Sequence, residues 1–235
     1  MNRFFTCCLS LFVSTVSLAQ SSSPSRTYIG VDVAYVADKY GFNDPGGRLE
    51  QPQLDGALWG VNVRQVLMKY LYLETGVYTR PYKVGIAFRN AGSTGGTDRK
   101  AVLLPLRVGA RLPLFKEKVI ISPVVGYVLA LANEGQTPWS YGDLHDLEGN
   151  KTHFDYTVQY PTQAFSLLQA GLGFDIPLWP KTLLSINTSY YQGLDKILIQ
   201  HVTYSVNNGP ETTATAYTKG STYSIGIGFK CQVSK

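Results

Sequence analysis

Residues 221–233 read Ser-Thr-Tyr-Ser-Ile-Gly-Ile-Gly-Phe-Lys-Cys-Gln-Val, and this stretch decides the fold. Its large side chains alternate with small or polar ones: Tyr223, Ile225, Ile227, Phe229 and Cys231 against Ser224, Gly226, Gly228 and Lys230. Successive side chains of a β-strand point to opposite faces. The period of two therefore predicts a strand with one apolar face and one face of small and polar groups.

Seven further segments show the same alternation. They are residues 27–37, 57–67, 71–80, 102–112, 119–131, 164–176 and 184–190. Most of them are about as long as a tilted strand that crosses a membrane. The sequence thus offers eight strands of similar design.

The connections between these strands alternate in length. Residues 68–70, 113–118 and 177–181 are short links, and residues 38–56, 81–100, 133–163 and 192–220 are long ones. Short turns on the periplasmic side and four long extracellular loops are typical of bacterial outer-membrane barrels. We therefore predict an all-β chain, folded as an eight-stranded antiparallel up-and-down transmembrane β-barrel.

The small and polar faces of the strands carry a defined set of charges. They are Asp32, Arg64, Glu74, Arg80, Arg107, Arg111, Asp175 and Lys230. A narrow eight-stranded barrel is filled by its inward side chains, and buried charges must be paired. We expect a lumen charge network in which Glu74 pairs with Arg107 or Arg64, which would make a plugged interior rather than a pore. A soluble lipocalin-like carrier with the two faces inverted is the alternative.

Aromatic residues recur at both ends of the predicted strands. Tyr70, Phe115 and Trp179 lie in or beside the three short links, and Tyr35, Trp59, Tyr78, Tyr127 and Tyr190 lie towards the opposite ends. Two aromatic levels are expected where a barrel meets the two membrane interfaces. The pattern favours a membrane barrel over a soluble one.

The chain begins with a secretory pattern. Residues 1–19 have a positive start, an apolar middle and small residues before Ala19, so we predict a signal peptide cleaved after Ala19. Residues 20–26 would form a short linker and residues 27–233 the barrel domain. After cleavage Cys231 is the only cysteine left, which excludes a disulfide within the chain and disfavours a cysteine metal site.

Composition narrows the classes of function. The chain has 16 tyrosines and 23 glycines, and only 16% of its residues are charged, which suits a β-protein. Its net charge of +5 is scattered along the sequence, so we expect no nucleic-acid partner. After the predicted signal peptide, the sequence contains no run of 18 consecutive apolar residues, so it predicts no transmembrane helix.

The signal, the eight strands and the segment Ser224-Ile225-Gly226-Ile227-Gly228-Phe229-Lys230 together resemble a known family. It is the family of small bacterial outer-membrane β-barrels that includes PorT-like proteins and the OmpA transmembrane domain. The resemblance covers residues 27–233 and implies outer-membrane localisation in the cell envelope. It also implies that the barrel-assembly machinery recognises the aromatic-bearing last strand, although Phe229 here is followed by six more residues.

The long links contain the residues that could carry a function. We expect a structural or binding barrel without cofactor that meets outer-membrane lipid through its wall and an external protein or ligand through its loops. Trp139, Tyr141 and Tyr156 are the candidate loop contacts, because exposed aromatics suit binding.

Two other functions stay open beside the binding barrel. His145, His153 and His201 lie in the two longest links, where a lipid-modifying enzyme could use His201 with Ser205, or His145 with Asp143 or Asp146. None of these sets has the spacing of an established catalytic or metal motif, so we expect no enzyme and no metal site. A channel is disfavoured because eight strands leave little free lumen.

Overall fold

A computed structural model describes residues 26–89, 94–133 and 139–234 of the chain; the predicted signal peptide and most of the predicted linker lie outside these ranges. The strands are β1 (Thr27–Asn43), β2 (Leu49–Glu50), β3 (Asp55–Met68), β4 (Leu71–Phe88), β5 (Thr94–Ala110), β6 (Leu112–Leu114), β7 (Val119–Ala132), β8 (Trp139–His145), β9 (Lys151–Gln159), β10 (Ala164–Trp179), β11 (Thr182–Gly193), β12 (Leu198–Val206) and β13 (Thr212–Gln232). In the described ranges no helix is long and apolar enough to span a membrane.

Eight of these strands close into a barrel. In order around the wall they are β1, β3, β4, β5, β7, β10, β11 and β13, and every neighbouring pair is antiparallel. The first and last strands complete the circle through a register that includes Gly30↔Lys230 and Val33↔Ile227. The predicted eight-stranded antiparallel barrel is confirmed.

The barrel wall has an apolar outer face and a polar inner face. Outward side chains of the first and last strands are largely exposed, among them Val31 (53%), Val33 (57%), Ile225 (60%) and Ile227 (55%). The residues between them point inward, and Asp32 and Lys230 are buried. This is the reverse of a soluble barrel, in which the apolar face is the inner one.

The two ends of the barrel differ. At one end, which we call the short-turn end, tight turns join β3 to β4, β6 to β7 and β10 to β11, and both chain termini of the barrel lie there. Phe115, Lys116 and Glu117 all have positive φ in one of these turns. The opposite end carries the four long links, and we call it the long-loop end.

The long links, which the sequence predicted as loops, contain paired strands. β4 and β5 continue as a paired hairpin as far as Ala87 and Thr94. β8, β9 and β12 add to the upper part of β13 in the order β8–β9–β12–β13, and residues 40–43 of β1 pair on its other side. We call this five-stranded assembly the outer sheet.

An apolar core explains why these segments form strands. Alternate residues of β12 and β13 (Leu198, Val202, Ala214 and Ala216) point to the same side of the outer sheet and are buried against Tyr82, Val84 and Ile86 of β4. Full burial of a large apolar side chain is worth about 1.5–3 kcal/mol, so the packing favours paired strands over open loops. We call this cluster the upper core.

Candidate functional site

The inner charges are organised around Glu74 of β4. Its two neighbours across the sheet are Arg64 of β3 and Arg107 of β5, each directly opposite in register. Arg64 Nε donates to Glu74 Oε2 at 2.7 Å, and Arg107 Nη1 donates to Oε1 at 2.8 Å. Both pairings that the sequence suggested are therefore present, and one carboxylate bridges two guanidinium groups.

Strands β10 and β13 supply a second carboxylate and a third cation. Arg64 Nη1 donates to Asp175 Oδ2 at 2.5 Å, so this arginine spans the lumen between two acids. Lys230 Nζ lies 3.7 Å from Glu74 Oε2 and 4.0 Å from Asp175 Oδ1. The hydroxyl groups of Ser122 and Ser185 also donate to Asp175, which satisfies both oxygens of its carboxylate.

Asp32 joins this network through a tyrosine. Its Oδ2 accepts hydrogen bonds from Asn62 Nδ2 at 2.6 Å and from the Tyr78 hydroxyl at 2.7 Å. The Tyr78 oxygen in turn accepts from Arg107 Nη1 at 3.0 Å. The lumen cluster, as we name it, thus comprises three acids and three bases, all buried: Asp32, Glu74, Asp175, Arg64, Arg107 and Lys230.

The two remaining predicted members lie elsewhere. Arg80 is buried nearer the long-loop end, where it pairs with Asp38 and stacks on Tyr82 with 4.1 Å between the guanidinium carbon and the ring centroid. Arg111 is half-buried at the short-turn end beside Arg26 and Glu117, because β5 ends at Ala110 before it can point into the lumen. Neither arginine contacts the lumen cluster through an ion pair among the described residues.

Sequence reasoning missed the neutral partners of these charges. Arg107 Nε donates to Gln169 Oε1 at 2.8 Å, and Gln169 Nε2 donates to Ser189 at 3.1 Å. Tyr78 was placed in an aromatic girdle, but its side chain is only 2% exposed and faces the lumen. Tyr78 lies four residues after Glu74 on β4, so the period of two places both side chains on the same, inner face. This alternation could have predicted the position of Tyr78. The other predicted girdle residues of the wall lie on the outer face: Tyr35, Trp59, Tyr70, Phe115, Tyr127, Trp179 and Tyr190.

A cavity of about 40 Å³ remains among the lumen cluster residues. That volume holds a few water molecules at most. Asp32 Oδ1 and Asn62 Oδ1 are buried and accept no hydrogen bond from the described residues. The inside of the barrel is thus crossed by salt bridges and, above them, by the upper core.

The candidate loop contacts have different environments. Tyr141 on β8 is 65% exposed, and β8 is the last strand of the outer sheet. Tyr156 is partly buried and packs against the upper core, so it is not the exposed contact that the sequence suggested. Trp139 begins β8 and pairs with Thr157, but its side chain lies outside the described part of the structure.

The histidines lie on the outer sheet and its tip. His153 Nδ1 lies 2.9 Å from Asp143 Oδ1, and Lys151 Nζ lies 2.8 Å from the other oxygen of Asp143. The hydrogen bonds from Lys151 and then from His153 hold the pKa of Asp143 below its usual value. His201 Nδ1 contacts Thr215 Oγ1 at 3.1 Å, and His145 is exposed. Among the described residues no cluster of His, Cys, Asp and Glu could hold a metal ion.

One row of residues across the outer sheet has the composition of a hydrolytic triad. Asp143, His153 and Ser205 are successive partners on β8, β9 and β12. The structure gives no hydrogen bond between Ser205 and His153, and the His153 side chain is 58% exposed on an open face. The sequence-based pairings of His201 with Ser205 and of His145 with Asp143 are not formed.

Comparison with known proteins adds the fold class. The sequence matches no protein-family model and no curated protein. Among solved structures it is similar to the outer membrane protein OprG from Pseudomonas aeruginosa, with 13% identity, 90% of this chain and 98% of that chain covered, and a TM-score of 0.50. Neisserial surface protein A has 13% identity, coverage of 89% and 99%, and a TM-score of 0.44. The outer membrane protein AlkL has 12% identity, coverage of 92% and 94%, and a TM-score of 0.45. Together with the closed sheet and its apolar outer face, the likeness to OprG shows that the chain has the fold of an outer-membrane β-barrel.

Proposed function

We propose that this protein is a plugged, non-conducting barrel that anchors the outer sheet at the cell surface, where that sheet binds an external protein or ligand. The observation that carries the proposal is the double filling of the barrel. The lumen cluster crosses the lumen at one level, and the upper core fills the space above it. Buried ion pairs that cross a narrow lumen support a barrel without a continuous aqueous path.

The proposal includes export and placement in the cell envelope. The secretory pattern of residues 1–19, with cleavage after Ala19, supports export. The alternating Gly226-Ile227-Gly228-Phe229 segment of the last strand supports kinship with PorT-like barrels and delivery by the barrel-assembly machinery. Porin-like conduction is not part of the proposal.

Planar-bilayer recording of the purified full-length protein tests the closed lumen. We expect no stable conductance steps at neutral pH. The Tyr78→Ala/Arg107→Ala double variant removes two side chains that meet in the lumen; provided that it keeps heat-modifiable migration on a gel, it should also stay closed, because the upper core still fills the space above. Steady single-channel steps from the unmodified protein would overturn the proposal.

Protease shaving of intact cells tests exposure of the outer sheet. An outside location with a packed sheet predicts that an added protease reaches the long-loop end but makes no cut within β12, whose alternate residues are buried, or within β9, where Thr152 and Val158 are buried. Cleavage confined to the short-turn end would place the molecule in the membrane the other way round. A cut in the middle of β12 would show that the outer sheet is not packed.

An envelope hydrolase is the second candidate, because Asp143 orients His153 in the row that ends at Ser205. The non-enzymatic binding barrel is favoured because this row lies on an open face. A fluorophosphonate probe would label the Ser205 hydroxyl if it were an activated nucleophile, and His153→Ala would abolish the label. Labelling of the unmodified protein, together with altered lipid A in cells that make it, would establish the enzyme.

A further inference from the structure

We propose that three lysines at the long-loop end form a binding site for the phosphate groups of an outer-leaflet lipid. Lys39 of β1, Lys196 between β11 and β12, and Lys219 of β13 are all exposed. They belong to neighbouring elements on one side of the barrel, where β1, β11 and β12 meet β13. The site is independent of what the outer sheet binds.

Of the three lysines, Lys39 lies nearest to the apolar wall of the barrel, where it contacts two aromatic rings. Lys39 Nζ lies 4.4 Å from the Tyr223 ring centroid and 5.6 Å from that of Tyr190, and it donates to the Tyr223 hydroxyl at 3.0 Å. The two rings contact each other, with 4.8 Å between centroids. On β13 the outward residues that follow Tyr223 are the exposed Ile225 and Ile227. Tyrosine above such a wall is typical of a membrane interface, so the ammonium group lies at headgroup level.

The second lysine lies farther from the membrane on the same side. Lys196 Nζ is 4.3 Å from the centroid of the Tyr217 ring. Tyr217 covers Gly41, its partner on β1, so closely that a Cβ atom there would lie 2.4 Å from the ring. Lys219 follows Tyr217 by two residues on β13 and is also exposed. The three ammonium groups are thus presented from one side of the wall.

These cations lack acidic partners. None of the three forms an ion pair within the part of the chain that the structure describes, whereas five of the six lumen cluster residues (all but Asp32) do. The nearest acids in sequence or register are Asp38, buried against Arg80, the exposed Asp195, and Asp55, which lies opposite Ala37. Asp195 can neutralise at most one of the three lysine charges.

The membrane supplies the complementary charge at this level. An amphipathic lysine beside hydrocarbon favours an anionic headgroup as counter-ion, and each basic residue near an anionic lipid surface contributes about a five-fold change in affinity. Three unpaired lysines at one interface therefore suit a lipid with more than one phosphate. This identifies the partner by its chemistry as a phosphorylated lipid of the outer leaflet.

Native mass spectrometry of the full-length protein in detergent tests the site. The probe lipids are bisphosphorylated lipid A and the same lipid without phosphates. The test variant is Lys39→Gln/Lys196→Gln/Lys219→Gln, and the matched control is Lys100→Gln/Lys118→Gln/Lys181→Gln, which removes three exposed lysines elsewhere. Heat-modifiable migration verifies that both variants fold.

We expect the unmodified protein and the control to retain bisphosphorylated lipid A, and the test variant to bind it about 100-fold more weakly. The dephosphorylated lipid should bind all three proteins equally weakly. Equal retention of bisphosphorylated lipid A by both variants would overturn the proposal. Displacement of the lipid by millimolar inorganic phosphate would also overturn it, because the site would then recognise a free anion rather than a lipid.

Discussion

At the scale of single residues, Glu74 has the greatest influence on the interior. It is buried and bridges Arg64 and Arg107, and Lys230 lies 3.7 Å away. Its loss would leave three buried cations with two acids. When one partner of a buried ionic network is removed, the remaining charges stay buried without a counter-charge, and their desolvation is no longer compensated.

We predict that Glu74→Gln lowers the free energy of unfolding by about 3–5 kcal/mol. Urea titration of the protein in detergent micelles, followed by heat-modifiable migration, measures the change. Glu211→Gln, at an exposed position beside β13, is the matched control and should change stability by less than about 0.5 kcal/mol. If the two variants have equal stability, the network does not stabilise the barrel.

Glycine at two inner positions of the wall gives a second residue-scale prediction. A Cβ atom at Gly228 would lie 1.9 Å from Asp32 Oδ1, and Asp32 is held by Asn62 and Tyr78. At Gly173 the nearest atom would be at 3.4 Å, an ordinary contact. Overpacking a filled interior costs about 1–3 kcal/mol.

We therefore expect Gly228→Ala to lower the free energy of unfolding by about 1–3 kcal/mol and Gly173→Ala to change it far less. The same urea titration compares the two variants. An equal effect at both positions would mean that Asp32 can move aside, and that its hydrogen bonds do not fix the wall there.

At the scale of elements, the barrel strands were predictable and the outer sheet was not. Residues 221–233 alternate because one side of the strand forms the apolar outer face of the wall and the other side faces the packed lumen. In β12, Leu198 and Val202 face the upper core, but Gln200 shares their face and is buried. A polar residue among the inward positions weakens the period of two. The strand forms because β9 and β13 pair with it on both sides, which is tertiary information.

The upper core can be tested by one pair of neighbouring substitutions. Val202 is buried and Thr203, next to it on β12, faces outward. We predict that Val202→Asp lowers the free energy of opening of β9 and β12 by about 3 kcal/mol or more, because it places an unpaired charge in the core. Hydrogen exchange of the backbone amides measures this.

Thr203→Lys is the control: it places a charge on the outward face opposite Asp155 of β9 and should not lower the protection of β9 and β12. In both variants the lower barrel should keep its heat-modifiable migration, because the eight-stranded wall is closed without the outer sheet. Loss of barrel closure in Val202→Asp would show that the two parts fold as one unit.

The hairpin of β8 and β9 should respond to acid. The pKa of Asp143 is lowered in the folded protein by its hydrogen bonds to Lys151 and His153. A lowered pKa means that the contribution of this carboxylate is present above the pKa of the unfolded chain and is lost as pH falls through the folded one. We expect β8 amides to lose exchange protection below about pH 4, after correction for intrinsic exchange rates. Asp143→Asn should reduce this pH dependence and leave the part due to Asp146, whose pKa is lowered by its hydrogen bonds with Asn150. An unchanged acid response in that variant would contradict the assignment.

At the scale of the whole molecule, sequence periodicity predicted the apolar outer face and the polar inner face of the wall, but not the position of each charge along the barrel axis. It placed all eight charges on the inner face. Only the register of the closed sheet shows that six of them meet as the lumen cluster, while Arg80 and Arg111 lie towards opposite ends. Register depends on strand pairing around the whole barrel, which a single sequence does not contain.

Spin-label accessibility measures most directly whether the apolar face of this barrel meets lipid. In a Cys231→Ser background, labels at positions 29, 31, 33 and 35 report on the outer wall of β1, and labels at positions 203 and 213 report on the outward face of the outer sheet. We predict that the first set, in bilayers, is relaxed by oxygen and shielded from a water-soluble nickel chelate, and that the second set shows the opposite. Accessibility of positions 29–35 to the nickel chelate would contradict a membrane-spanning barrel.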